Sequence, residues 1–242
     1  MTKRYPIIPA MAIYILFFSW PVGAEPRHSL RINCTMHSPY EVFFFRLVEE
    51  IGSRNRLLIE RNTPPTGRSL IHVNQGIDDG DGPRVAGLSS AYPNLICVPE
   101  PFGDFIFGAF AIDRNIRIDG WSSLADHNVA YIHGWKIFED QITAAKSITR
   151  VKDAEQLFML LHAGRADVAL VTKTVGYAMM EKLNLKGIRF IEPPLAVKSN
   201  FLYLHKRHRD LVPKIQQTLL DLKRDGTYQR LYHEIIPPFP EK

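Results

Sequence analysis

The fold class is decided by the stretch Ala154-Glu-Gln-Leu-Phe-Met-Leu-Leu-His-Ala-Gly-Arg-Ala-Asp-Val-Ala-Leu-Val171. Its apolar positions follow a helical period up to Gly164, and glycine commonly ends a helix in a left-handed turn. After Asp167 the run Val168 to Val171 is short, apolar and partly β-branched, which predicts a buried parallel strand. The stretch therefore predicts a helix followed by a strand of an α/β protein.

A fainter copy of this pattern lies upstream. Residues 68–76 end at Gly76, and Ile77-Asp78-Asp79 follow. Two helix–Gly–x–x–Asp units about ninety residues apart predict two α/β lobes of similar design, each with a mainly parallel sheet. A two-lobed α/β protein places its ligand between the lobes.

The N-terminus predicts export. Lys3 and Arg4 precede an apolar run over residues 7–20, and Ala24 follows small residues suited to a cleavage site. The alternative is an uncleaved membrane anchor, but a run of 14 residues is shorter than the roughly 20 that a spanning helix needs. We therefore expect a signal peptide over residues 1–24 and a periplasmic mature chain.

The charge balance argues against nucleic acid as a partner. Removing residues 1–24 leaves 28 basic and 25 acidic residues, and no basic stripe is interleaved with aromatic side chains. The cysteines, Cys34 and Cys97, leave two alternatives open. They either form a disulfide in an oxidising compartment or stay as buried thiols in separate strands.

The order of the predicted elements gives the domain boundaries. The first lobe is expected over residues 25–106 plus 196–242, and the second over residues 107–195. Phe105 to Ile112 is read as the crossing into the second lobe, and Phe201 to Leu204 as the strand that returns. Residues 78–84 are read as a polar loop, and Ile188 to Ile191 as a separate strand ending before Pro193.

Several segments resemble one known family. The tail Leu211 to Tyr232, with its core Leu-Lys-Arg-Asp-Gly-Thr-Tyr, is similar to the ending of family 3 of the bacterial extracellular solute-binding proteins. Gly164-Arg-Ala-Asp167 resembles that family's second-lobe element, and residues 121–134 resemble its entry into the second lobe. Ser38-Pro39-Tyr40 stands where the family carries an aromatic-proline loop. The resemblance implies a periplasmic-binding-protein-like type II fold with two hinge crossovers.

Two departures bear on the ligand that the resemblance implies. Amino-acid binders of the family hold the ligand carboxylate with an arginine, and Arg84 lies closer to the Gly-x-x-Asp element than that arginine does. They also place an acidic residue five positions after the second-lobe Asp, where this chain has Thr172. We therefore do not carry the α-amino acid ligand over to this chain.

The candidate site follows from the sheets. Ligands of open parallel sheets lie beyond the carboxyl ends of the strands, which selects the loops 35–40, 78–84, 133–136 and 172–174. His37, in the first of these loops, is a lone loop histidine to which we assign no role. The predicted ligand-binding residues are Tyr40, Asp81, Arg84, Gly134, Trp135, Lys136 and Thr172.

Each of these residues has a plain alternative. Tyr40 stacks on a ligand or packs on its own helix. Arg84 clamps a ligand carboxylate or pairs with Asp81 at the surface. Gly134 opens a helix whose N–H groups can hold an anion, whereas Trp135 belongs to the cleft or to the core.

The functional prediction is a solute-binding protein that captures a small polar ligand, with a carboxylate-bearing one favoured. We expect a monomer that delivers its ligand to an ABC-type permease, with no enzyme activity, cofactor or metal, because no catalytic or metal-ligand spacing is present. One alternative is a ligand-sensing adaptor for a membrane receptor. Another is a periplasmic enzyme, such as a dehydratase or lytic enzyme, on the same scaffold, with Glu100, Asp104 and Glu139 as the candidate acids.

Overall fold

A computed structural model describes residues 28–35, 38–64 and 67–239. The predicted signal segment 1–24 and His37 lie outside these residues. Within the described ranges the strands are β1 Ser29–Asn33, β2 Leu58–Asn62, β3 Gly80–Val85, β4 Leu95–Cys97, β5 Gly103–Ala111, β6 Asn128–Ile132, β7 Ser147–Val151, β8 Val168–Thr172 and β9 Arg189–His205. The α-helices are α1 Pro39–Arg54, α2 Ser69–Asn74, α3 Lys136–Gln141, α4 Ala154–His162, α5 Lys173–Lys182, α6 Val212–Arg224 and α7 Thr227–Ile235.

The strands form one continuous sheet in the order β2-β1-β3-β9-β5-β8-β6-β7, with β4 also paired to β9. β2, β1 and β3 are parallel and belong to the first lobe, while β8, β6 and β7 are parallel and belong to the second. The antiparallel pair β5 and β9 lies between the two triplets. These two long strands are the two crossovers between the lobes.

Separate hydrophobic clusters support the two halves of the sheet. In the first lobe, α1, α6 and α7 pack on one cluster that includes Phe43, Leu204 and Leu219. In the second lobe, one cluster surrounds Phe138 of α3 and another contains Phe158 of α4. Apolar burial is the dominant stabilising term in folding. Since each lobe buries its own apolar clusters, each lobe has its own hydrophobic core. The predicted lobe boundaries themselves stay a prediction.

Two predictions about the strands were wrong. Residues 78–84 were read as a loop, but Gly80–Val85 is the strand β3, whose buried positions are glycines and an aspartate with no apolar alternation to reveal them. Arg189–His205 is one strand instead of two. Along β5, the paired residues of β9 pass directly from Ala196 to Ile191, so residues 192–195 need no ladder hydrogen bonds to β5. The prolines of β9 are accommodated in this unpaired segment.

Two further findings concern the described residues. Cys34 and Cys97 form no disulfide with one another, so the thiol alternative holds in this structure. Burial raises the pKa of the Cys97 thiol. Among the helices in the described ranges, none combines the length and the apolar character needed to cross a membrane.

Candidate functional site

Asp81 and Arg84 line a small cavity at the carboxyl ends of β1 and β3, which we call the arginine cavity. Its volume is about 50 Å³. The walls are contributed by β1 and the residues after it, the start of α1, the start of α2 and β3. The lining residues are Asn33, Cys34, Thr35, Glu41, Pro64, Ser69, Asp81, Gly82, Pro83 and Arg84. The structure thus brings two of the predicted site residues together, but inside strand β3 and not in the loop from which they were predicted.

The Arg84 guanidinium is fixed by two neighbours. Its Nε donates to Asp81 Oδ1 at 2.5 Å, and its Nη2 donates to Ser69 Oγ at 2.8 Å. Burial opposes the charge of Arg84, but the adjacent Asp81 carboxylate outweighs burial and raises the Arg84 pKa. The Asp81 side chain is 1% exposed and that of Arg84 is 38% exposed. Arg84 Nη1 makes no hydrogen bond to any described residue, so its N–H groups have no partner within the described part of the chain.

Asn33 presents an acceptor without a donor in the same cavity. Its Nδ2 donates to the Ser69 carbonyl and to Asp78 Oδ2, each at 3.2 Å, which settles the orientation of the amide. Its Oδ1 is buried and has no hydrogen-bond partner among the described groups. A buried polar atom normally finds a partner, so this oxygen marks a place for a donor. Asn33 is not among the site residues predicted from the sequence, although a polar residue ending an apolar strand is a usable signal.

The first turn of α1 forms another wall of the arginine cavity. Ser38 caps the helix and Pro39 occupies its first position. The Glu41 carboxylate closes a capping box with Ser38 and also accepts from Thr35 Oγ1 at 2.8 Å. The cavity is therefore lined by two carboxylates and one guanidinium.

The predicted second-lobe residues lie in a different environment. The Gly134 N–H donates to Glu139 Oε1 at 3.0 Å, and Lys136 Nζ lies 2.7 Å from Glu139 Oε2. Lys136, followed by the Gly134 N–H, lowers the pKa of Glu139. The start of α3 is thus occupied by the carboxylate of Glu139, a residue of the same helix. This is the position where the sequence predicts a ligand anion.

Trp135 combines core and surface character. Its ring stacks on Phe138 with a centroid distance of 5.8 Å and contacts the edge of Phe107. The side chain is only partly buried. Trp135 thus packs on the core of the second lobe with part of its surface exposed, and a role in the cleft stays a prediction.

Thr172 ends β8 and is 4% exposed. It lies opposite Phe107 of β5 in the sheet register and precedes α5, where its side chain forms no capping hydrogen bond. Helix α5 begins at Lys173, so the loop expected over residues 172–174 is not present as a loop.

Tyr40 lies apart from Arg84, in a second cavity of about 240 Å³ that we call the tyrosine cavity. Its hydroxyl accepts from Asn200 Nδ2 at 2.8 Å, and the residue is 4% exposed. Burial, the largest cause, raises the Tyr40 pKa above its ordinary value. Tyr40 and Glu41 are consecutive, so the first turn of α1 separates the two cavities.

The described residues contain no group of three or more His, Cys, Asp or Glu side chains arranged to hold a metal ion. The three candidate acids named for an enzyme have separate partners. Glu100 pairs with Lys223, Asp104 accepts from Ser199, and Glu139 belongs to the start of α3.

Comparisons with known proteins agree on the fold. No family model matches the chain. An uncharacterized protein of Shewanella oneidensis is 22% identical over 224 residues, which cover 90% of this chain and 81% of that protein. A histidine kinase sensor domain with similarity to periplasmic binding proteins superposes with a TM-score of 0.73 at 15% identity, covering 87% of this chain and 97% of that one.

A transport-related structure is similarly close. The probable amino-acid ABC transporter extracellular-binding protein YtmK of Bacillus subtilis gives a TM-score of 0.71 at 16% identity, covering 88% of this chain and all of that one. The chain therefore has the two-lobed, periplasmic-binding-protein-like type II fold. The two crossovers β5 and β9 are those that this arrangement requires.

Proposed function

We propose that this chain is an exported solute-binding protein that closes its two lobes on a small polar ligand. The observation that carries the proposal is the Arg84 guanidinium, which Asp81 and Ser69 orient at the carboxyl ends of β1 and β3 while Nη1 binds none of the described residues. Ligands of open α/β sheets bind at such strand ends. Closure on the ligand would shift an equilibrium between open and closed forms through differential binding.

The arginine cavity specifies complementary groups on the ligand. Arg84 Nη1 calls for an acceptor, and a carboxylate is the group that a guanidinium binds most strongly. Asn33 Oδ1 calls for a donor. A ligand with a carboxylate and a nearby amine, amide or hydroxyl donor satisfies both residues. Thr172 supplies no charge on the opposite lobe, so the ammonium of an α-amino acid lacks its usual acidic partner there.

The protein would work in the periplasm, to which the predicted signal segment 1–24 would direct the export of the mature chain. The partner we propose is the periplasmic face of an ABC-type permease, which receives the ligand from a monomeric closed form. The fold shared with the YtmK extracellular-binding protein supports this assignment.

The test is a thermal-shift screen of the mature chain against carboxylates, amines and amino acids. A ligand that binds only the folded state raises the midpoint temperature in proportion to RT ln(1 + [L]/Kd). Arg84→Ala is expected to abolish the shift, whereas Arg61→Ala, an exposed arginine on β2, should retain it.

A second pair of variants examines the other lobe. Trp135→Ala is expected to weaken the same ligand, while Trp121→Ala should not, although both rings contact Phe138. A stabilising ligand whose affinity is unchanged by Arg84→Ala would place the binding site elsewhere and contradict the proposal. If the ligand is chemically converted during the assay, the protein is an enzyme and the binding-protein proposal is wrong.

A ligand-sensing adaptor is the second candidate function. The similarity to a histidine kinase sensor domain favours it, because the same fold serves there as the sensing part of a receptor. The two candidates share the ligand test and differ in the partner. A pull-down of the ligand-bound chain that recovers a receptor instead of a permease would decide for sensing.

A further inference from the structure

The tyrosine cavity is walled by parts of both lobes. The first lobe contributes Tyr40 of α1 and two tyrosines of α7, one turn apart. The hinge strand β5 contributes Gly103, Asp104 and Ile106, and the second lobe contributes the start of α5. Phe239, beyond α7, completes the wall. With a volume of about 240 Å³, the cavity is several times larger than the arginine cavity.

One buried phenylalanine holds the three tyrosines in place. Tyr228 and Tyr232 both meet the Phe43 ring edge-on, with centroid distances of 5.1 and 5.3 Å. Tyr40 meets the same ring at 5.9 Å. Phe43 is completely buried, so these rings are fixed by packing before any ligand arrives. On the opposite wall, Phe239 packs on Tyr177 of α5.

The unbalanced charge on this wall is that of Asp104. Its carboxylate is exposed and accepts from Ser199 Oγ at 2.7 Å, but it forms no ion pair with any described residue. Lys173 also lines the cavity, yet its ammonium lies 2.9 Å from Glu192 and over the rings of Phe190 and Phe239. The positive charge is therefore compensated and the negative charge is not.

The tyrosine hydroxyls add dipoles without adding charge. Burial, followed by the nearby Tyr232 and Asp104, raises the pKa of Tyr228 to about 12. The Tyr228 hydroxyl donates to the Phe102 carbonyl at 2.9 Å. The Tyr40 hydroxyl accepts from Asn200 and is therefore also part of a fixed hydrogen-bonded arrangement. The hydroxyl groups of the cavity wall are thus neutral. The Lys223 ammonium lies over the Tyr228 ring, 5.6 Å from its centroid, so one face of that ring already carries a cation.

We propose that the tyrosine cavity is a second binding site, separate from the arginine cavity, that takes the ammonium group of a small organic cation. Aromatic rings attract an alkylammonium through their quadrupoles, and several rings around one carboxylate are the arrangement that selects such a cation. Asp104 supplies the counter-charge, and the side chains of Tyr228, Tyr232 and Phe239 supply the cage. The residues that line this cavity are all different from those that line the arginine cavity.

The test is an NMR titration of the mature chain, labelled on isoleucine methyl groups, with Ile106 as the reporter inside the cavity. Choline is the probe, and 3,3-dimethylbutan-1-ol is its uncharged isostere. Choline is expected to shift the Ile106 signal, and the isostere to bind at least about threefold more weakly. Sodium chloride at equal ionic strength serves as the blank.

Variants assign the binding to named groups. Asp104→Asn, which keeps an acceptor for Ser199, is expected to weaken choline about fivefold. Asp210→Asn, at an exposed aspartate away from the cavity, should leave choline binding unchanged. Tyr232→Leu is expected to weaken choline by a similar factor. Arg84→Ala should not affect choline, which separates this site from the one in the proposed function.

Three outcomes would overturn the proposal. One is the absence of an Ile106 shift beyond the salt blank. Another is equal choline affinity in Asp104→Asn and the unsubstituted chain. The third is preferential binding of benzoate that strengthens when Asp104 is neutralised, since this would make the cavity an anion site served by the start of α5.

Discussion

The two Gly-x-x-Asp turns of the molecule make the same contact in both lobes. In the first lobe, the Asp79 N–H donates to the Arg31 carbonyl, and Asp79 Oδ2 accepts from the Arg31 N–H at 2.8 Å. In the second lobe, the Asp167 N–H donates to the Asn128 carbonyl, and Asp167 Oδ2 accepts from the Asn128 N–H at 2.7 Å. Each aspartate thus ties the start of one parallel strand to its neighbour, at the middle of β1 in the first lobe and at the start of β6 in the second.

The two turns differ in what else the carboxylate holds. Asp79 also contacts Arg207 Nη2 and His208 Nε2 in the turn after β9. Among the described residues, Asp167 has one additional hydrogen-bond donor, the side-chain amide of Asn128. The first-lobe turn therefore joins two parts of the chain, whereas the second-lobe turn serves a single strand pair.

The strands that follow the turns also differ. After Asp79, β3 carries Asp81 and Arg84 into the arginine cavity. After Asp167, all five residues of β8 are buried, from Val168 to Thr172. The repeated turn is thus a structural clamp, and the charged groups of the candidate site lie on the strand of only one lobe.

The largest difference between the turns is expected on removing the carboxylates. Asp79→Ala leaves Arg207 Nη2 and the Arg31 N–H without the carboxylate that accepts from them and should lower the free energy of unfolding by about 3 kcal/mol. Asp167→Ala should cost about 2 kcal/mol. Urea denaturation measures both, with the exposed Asp119→Ala as a control. Equal losses at the two positions would show that the additional partners of Asp79 contribute nothing.

A smaller difference is expected at the glycines. Gly76 and Gly164 both have positive φ, +74° and +65°, so alanine at either position should cost about 1–2 kcal/mol. A Cβ at Gly164 meets open space, whereas one at Gly76 lies 3.2 Å from Arg207 Nη1, which is itself hydrogen-bonded to the Gly76 carbonyl. Gly76→Ala should therefore exceed Gly164→Ala in urea denaturation. The reverse order would contradict this account of the first-lobe turn.

The smallest expected effect is on the stability of the folded state at acidic pH. Burial opposes the Asp79 charge, but hydrogen bonds from the Arg31 N–H, Arg207 and His208 outweigh burial and lower its pKa. A depressed pKa stabilises the folded state above the unfolded value of about 4, and this contribution disappears as the pH falls through the folded pKa. The stability advantage of the unsubstituted chain over Asp79→Asn should therefore narrow below about pH 4. An advantage that is constant from pH 7 to pH 3 would exclude this linkage.

The sequence predicts the scaffold better than the site, for a physical reason. The stretch from Ala154 to Val171 shows its helix and strand through apolar periodicity, and the structure places α4 and β8 there. The strand β3 has no such signal, because Gly80, Asp81 and Gly82 are buried by close packing and hydrogen bonding instead of by apolar side chains. A Cβ on Gly82 would lie 2.3 Å from the Phe44 ring, a contact that no local pattern reveals.

The same difference between local and long-range signals explains the candidate site. Asp81 and Arg84 are close in sequence, and their pairing is one of the two alternatives that the sequence suggests for Arg84. Tyr40 belongs to another cavity because the capped helix starts at Pro39 and turns its ring toward Phe43. The buried Asn33 and Asn200 acquire their roles from neighbours more than thirty residues away, as with Ser69 for Asn33. Long-range contacts of this kind leave no trace in local sequence.

The capped first turn of α1 has a thermodynamic consequence. Tyr40 and Glu41 are adjacent on a turn fixed by Ser38 and Pro39, yet they face different cavities. A displacement of this turn changes both walls together. If a ligand in one cavity changes the affinity of the other cavity through this turn, a ligand in the other cavity must change the affinity of the first by the same factor. Affinities measured singly and together would yield that coupling free energy without any structure of the complex.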